Sequence, residues 1–169
     1  MSSTIRTRVV ACLLVLALLS SPASATWSIV MVDVATGEMA IGCATCLVNF
    51  DLEDFVPVIV PGHGVAAAQA LVSGTGTRIQ IRNELLAGTP PAQILAALAA
   101  SDAFHQQRQY GFVDLQGRTL SFTGNQAGPF AGGLTGQSGS IFYAIQGNVI
   151  TGNQSSPRRR RGPVWRAWQ

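Results

Sequence analysis

The stretch Val65-Ala66-Ala67-Ala68-Gln69-Ala70 is small and apolar at every position but one. A strand with one solvated face alternates apolar and polar residues, so a run without a polar face reads as a strand buried on both sides. Such a strand belongs inside a layered fold, because each face of its sheet needs cover.

The flanking segments supply more strands and two helices. Thr26-Trp27-Ser28-Ile29-Val30-Met31-Val32-Asp33 is rich in β-branched and aromatic residues. The turn signal Ala35-Thr36-Gly37-Glu38 follows it, and a second run, Met39 to Cys46, leads back. This predicts an opening β-hairpin with Thr26 at the tip of its first strand. Leu47 to Phe55, with Asp51, Glu53 and Asp54, reads as an exposed loop. Val56 to Val60 reads as a strand that turns at Pro61-Gly62-His63-Gly64 into the apolar run. Helical spacing appears from Thr77 to Ala87, ending at Gly88, and again from Pro91 to Ala100 with Ile94, Leu95 and Leu98 on one stripe. Thr89-Pro90-Pro91 reads as the cap and start of that second helix. A second hairpin, Gln109–Asp114 with Arg118–Thr123, precedes a Gly-rich stretch from Gly124 to Gly139 and a last strand, Ile141–Gln146, ending at Gly147-Asn148. The order of strands, helix pair, strands predicts an α+β fold with helices packed on a largely antiparallel sheet. After Asn153 the sequence offers no helix to cover the second face.

The first 25 residues have another use. Arg6 and Arg8, an apolar core from Val9 to Leu19, and the small-residue segment Ser20 to Ala25 form a secretory signal. The apolar core falls short of the roughly 20 residues that a stable span needs. Cys12 lies inside it, which argues against a lipoprotein anchor. Cutting after Ala23-Ser24-Ala25 makes Thr26 the first residue, while cutting after Ala23 leaves Ser24 first. The expectation is an exported chain, periplasmic or extracellular, without a membrane span once the signal is removed. The remaining 144 residues suit one domain and contain no Lys. From Thr26 to Pro157, four Arg face eight acidic residues, a net charge of −4, and the basic balance belongs to Arg158–Arg161 and Arg166. A mildly acidic domain of this kind gives no expectation of nucleic-acid binding.

Cys43 and Cys46 form a C-x-x-C at the close of a strand-like run. Residues three apart on a strand point to opposite faces, so a disulfide requires the strand to end at Cys46 and turn. Zinc would need His63 and His105 in addition, and no second metal-like spacing exists. No metal or other cofactor is expected.

Taken in order, Thr26-Trp27-Ser28-Ile29-Val30, Asp33, Thr36-Gly37-Glu38, Gly64-Val65 through Gln69, Arg108-Gln109, Val113-Asp114, Gly117-Arg118, Phe122-Thr123-Gly124 and Gln146-Gly147-Asn148 resemble a bacterial and archaeal family, domain of unknown function 1028. That family is grouped with the N-terminal-nucleophile (Ntn) hydrolases, and the resemblance runs from Thr26 to about Gly152. It implies an αββα sandwich of antiparallel sheets whose first strand begins with the nucleophile, and cleavage of an amide bond in a small amide or peptide substrate. An N-terminal threonine carries a hydroxyl nucleophile and an α-amine of pKa about 7.7–8.0 able to take its proton.

Under that resemblance Thr26 is the catalytic candidate. The oxyanion or substrate-binding candidates are Asn148 with Gly147, then Gly124 and Asn125, with Thr45 beside Thr26 and Gln69 as the one amide in its apolar strand. Each also has a plainer reading: Gly147-Asn148 as a turn pair, Gln69 as the partner of a buried backbone group, Thr45 as an ordinary strand residue. Asp33 reads as a turn former, and His63 and His105 have no partner in the sequence. Family members continue past Gln-Gly-Asn into further helices, whereas this chain turns to a basic, Pro- and Arg-rich ending from Asn153 to Gln169. Two origins fit that ending, a frame shift in a GC-rich gene or a genuine tail for anionic surfaces. The expected sandwich is thus incomplete at its C-terminus. A non-catalytic exported module on the same fold and a truncated inactive product stand as alternatives to the enzyme, and a homo-oligomer is left open.

Overall fold

A computed structural model describes residues 25–71 and 75–149; the signal segment, the boundary at Gly152 and the basic tail lie outside the described residues. Eight strands form two antiparallel sheets. The first has the order β2-β1-β8-β7, from β1 (Thr26–Asp33), β2 (Met39–Thr45), β7 (Gly132–Ser138) and β8 (Ile141–Asn148). The second has the order β3-β4-β5-β6, from β3 (Pro57–Val60), β4 (Gly64–Gln69), β5 (Gln109–Asp114) and β6 (Thr119–Thr123). Helices α1 (Gly76–Leu86) and α2 (Pro91–Ser101) lie between β4 and β5 in the chain. The architecture is α+β, as the order of elements predicted.

The apolar run Val65–Gln69 is buried along its whole length, and the two faces of its sheet have different cover. Ala66, Ala68, Tyr110 and Phe112 pack with Ile81 and Leu85 of α1 and Ile94 and Leu98 of α2. Val65, Ala67 and Val113 pack instead against Val30, Val32 and Ala144 of the other sheet. Each fully buried Ile or Leu of the helices contributes about 1.5–3 kcal/mol of apolar burial. These four side chains therefore hold the helix layer on. The first sheet places the even-numbered residues of β1 inward, and Trp27, Ile29 and Met31 outward. Among the described residues no helix lies over that outer face.

Both predicted hairpins are present, with Val32↔Met39 closing the first and Val113↔Thr119 the second. Gly88 ends α1 at φ +72°, and Pro91 occupies the first turn of α2. Thr89 does not cap α2; its hydroxyl donates instead to Glu84 Oε2 at 2.7 Å. The Gly-rich stretch also departs from expectation, since Gly132–Ser138 is strand β7, paired with β8 throughout. Two of its glycines, Gly133 and Gly136, are required by close approach, whereas Gly132 has open space around it. A Cβ at Gly136 would lie 2.3 Å from the Tyr143 hydroxyl, and one at Gly133 would lie 2.2 Å from Ser121 Oγ.

Candidate functional site

β1 runs through the middle of its sheet, and its first residue has a partner on each side. Thr26 lies opposite Thr45 on β2 and Asn148 on β8. Directly opposed residues share a face with Cβ atoms about 4.5–5.5 Å apart, so the three side chains stand together on the inner face at one end of the sandwich. Thr26 Oγ1 lies 3.0 Å from Thr45 Oγ1. The Leu47 amide donates to the same Thr45 oxygen at 3.3 Å. Asn148 is 7% exposed, and its carboxamide makes no hydrogen bond to the described residues.

One step deeper, buried polar side chains fill the space between the sheets. Ser28 and Gln146 belong to the first sheet, Gln69 and Gln109 to the second, and none is more than 2% exposed. Ser28 Oγ donates to Gln69 Oε1 at 2.6 Å and accepts from Gln146 Nε2 at 2.6 Å. Gln69 Nε2 donates to Gln109 Oε1 at 3.0 Å and to the Thr26 carbonyl at 3.3 Å. Gln109 Nε2 donates to the Gly147 carbonyl at 2.9 Å and to Thr123 Oγ1 at 3.0 Å. The network thus grips the backbone of Thr26 and of the residue before Asn148. It needs Gly111, because a Cβ there would lie 2.2 Å from Gln146 Oε1.

The chain before Thr26 is also held. The Ala25 amide donates to Cys46 Sγ at 3.0 Å, and the Cys46 amide donates to the Ala25 carbonyl at 3.0 Å. Cys43 and Cys46 are free thiols. Cys43 faces inward opposite Ser28, and burial, with the Glu53 charge adding to it, pushes its thiol pKa up. Among the described residues no group of three His, Cys, Asp or Glu side chains converges as a metal site would require.

A model of a family of unknown function, DUF1028, matches residues 26–158. The chain belongs to the DUF1028 family. A solved DUF1028 structure, protein SPO2555 from Silicibacter pomeroyi, superimposes with a TM-score of 0.66 at 24% identity, over 77% of this chain and 55% of that one. The chain thus spans about half the length of that protein, and the likeness is one of fold. A search of curated proteins finds no match.

Of the residues singled out in the sequence, this DUF1028 chain brings Thr26, Thr45, Asn148, Gly147 and Gln69 together. Gly124 and Asn125 follow β6 at the end of the sheet that carries Gln69, but their amides are engaged. Gly124 N–H donates to the Arg108 carbonyl at 2.9 Å and Asn125 N–H to Gln106 Oε1 at 3.1 Å. Asp33 accepts from the Ala35 amide at 2.9 Å, as a turn former does. His105 is buried and stacks on Phe122 with ring centroids 4.3 Å apart; burial, partly offset by Asp102, lowers its pKa. Sequence reading missed Ser28, Gln109 and Gln146 as members of the site. Their signal was present: each is a polar residue near the same end of an otherwise apolar inner face, Ser28 two positions from Thr26, Gln146 two positions from Asn148 and Gln109 at the start of β5.

Proposed function

We propose that this DUF1028 chain is an exported Ntn-type amide hydrolase on an αββα-type sandwich, with Thr26 as nucleophile once the chain is cut after Ala25. The observation that carries this reading is the meeting of Thr26, Thr45 and Asn148 on the inner face of the central strand, above the buried amide network. The family match beginning at Thr26 supports it. In the reaction Thr26 Oγ1 attacks the substrate carbonyl carbon and its proton passes to the Thr26 α-amine. The C–N bond breaks, the leaving amine takes that proton, and water hydrolyses the Thr26 ester to release the acid and restore the hydroxyl. Asn148 Nδ2 donates to the oxyanion, a role worth about 2.7–4 kcal/mol where one donor is removed.

N-terminal sequencing of the secreted protein, joined to an amide-hydrolysis screen, tests the reading. Thr26 as first residue, with activity abolished by one extra alanine before it, is the expected result. A chain beginning at Ser24, or equal activity with the added alanine, overturns it. Loss of activity with retained binding in every variant starting at Thr26 would instead mark a non-catalytic binding module.

A further inference from the structure

Beside Thr45 the end of β2 and the loop 47–55 line a broad cavity of about 780 Å³ that is largely open to solvent. The sequence marked that loop only as exposed. The wall nearest Thr26 is Thr45 itself. Leu47, Phe50 and Leu52 supply apolar surface, and Asp51 and Glu53 are its charged lining residues. The loop is built rather than slack: Phe50 stacks on Phe55 at 4.7 Å between centroids, and the Glu53 amide donates to Asp51 Oδ1 at 2.9 Å.

We propose that this cavity is the substrate subsite of the Thr26 centre and that it takes an apolar stem ending in a cation, a protonated amine or a guanidinium. The inference rests on the nucleophile reading for its link to catalysis and on the lining alone for its charge preference. A group attached to a carbonyl at Thr26 Oγ1 meets the Thr45 wall first, because the two hydroxyls are 3.0 Å apart. Beyond it, the apolar residues cover a stem, and the carboxylates await its charged end. No Arg or Lys lines the cavity. Arg78, which reaches the same loop, donates to the carbonyls of Pro57 and Asp54, and among the described residues neither Asp51 nor Glu53 forms a salt bridge. The field of the Glu53 carboxylate is felt at Cys43, on the same wall.

Titration of the secreted protein with phenethylamine, 2-phenylethanol and phenylacetate, followed by amide chemical shifts, tests the proposal. The amine should shift Thr45 and Phe50 and bind about fivefold more tightly than the alcohol, as expected of partly exposed charge pairs. Asp51→Asn with Glu53→Gln, both surface changes, should erase that preference. Equal affinity for amine and alcohol, a preference that survives the double substitution, shifts confined to other parts of the chain, or no shifts with the amine each overturn it. A Thr26→Ala variant separates the two readings. It should bind the amine as the wild type does while hydrolysing nothing. If it still hydrolyses amides, the nucleophile reading falls and the subsite's link to it falls too, while the charge preference is decided by the Asp51 and Glu53 variant.

Discussion

Only one proton can lie between Thr26 Oγ1 and Thr45 Oγ1. Because Thr45 already accepts from the Leu47 amide, its own proton can point to Thr26, which under the nucleophile reading leaves the Thr26 proton for the α-amine. Thr45→Val keeps the shape and removes that donor. Under the nucleophile reading kcat should fall about 10²-fold with KM little changed, the signature of lost proton positioning, measured by steady-state hydrolysis. A different residue carries a stability prediction free of the functional reading. Tyr110 is fully buried and its hydroxyl has no hydrogen-bond partner among the described residues. Tyr110→Phe removes an unsatisfied polar group and should raise stability by about 1 kcal/mol in denaturant unfolding. At this scale the place of Thr45 opposite Thr26 was legible because hairpin pairing sets strand ends together, whereas Asn148, on a strand far along the chain, was named only through the family resemblance. Which residues Gln109 bonds was not legible, since contacts between sheets leave no trace in local spacing.

Among the elements, the hairpins and both helices were readable because their periods and turn residues agree with the fold. β7 was not, because its glycines oppose strand propensity, and packing against Ser121 and Ile145 explains Gly133 and against Tyr143 explains Gly136. Gly133→Ala tests that account. The new methyl would meet Ser121 Oγ and the Ile145 carbonyl oxygen, the latter at 2.6 Å, and backbone cannot yield as a side chain does. We expect a loss of about 1–3 kcal/mol by thermal or denaturant unfolding. The two sheets also depend on each other through Gln69, which bonds Ser28, Gln109 and the Thr26 carbonyl. Gln69→Met keeps the length of the side chain but leaves buried partners unpaired. It should cost about 2–4 kcal/mol and, under the nucleophile reading, lower activity through displacement of Thr26.

The molecule as a whole has a bounded pH range. Desolvation opposes the charge on Asp102, but bonds from Arg108 and the Phe104 amide outweigh it and hold the carboxyl below its ordinary range. Its stabilisation is present above the unfolded pKa near 4 and lost as pH falls through the folded one. His105, also lowered, binds its proton more readily when unfolded, so stability falls as pH drops below about 6.5. Tyr110 acts at the other end. Burial pushes its pKa up to about 12, so the unfolded state loses its proton first and stability declines between about pH 10 and 12. Unfolding midpoints should therefore be highest between about pH 7 and 10, and Tyr110→Phe should flatten the alkaline side alone. The layering was legible from the buried run Val65–Gln69, whereas the cavity beside Thr45 was not, because it exists only where a loop passes a strand end.

The paired bonds between Ala25 and Cys46 carry a consequence for timing. They continue the β1–β2 ladder one residue past Thr26, through the very peptide bond whose cleavage would free the amine. A processing peptidase needs that segment extended and unpaired in its own cleft. Under the proposed maturation folding and cutting therefore compete, and a precursor that folds before it is cut would protect its own junction.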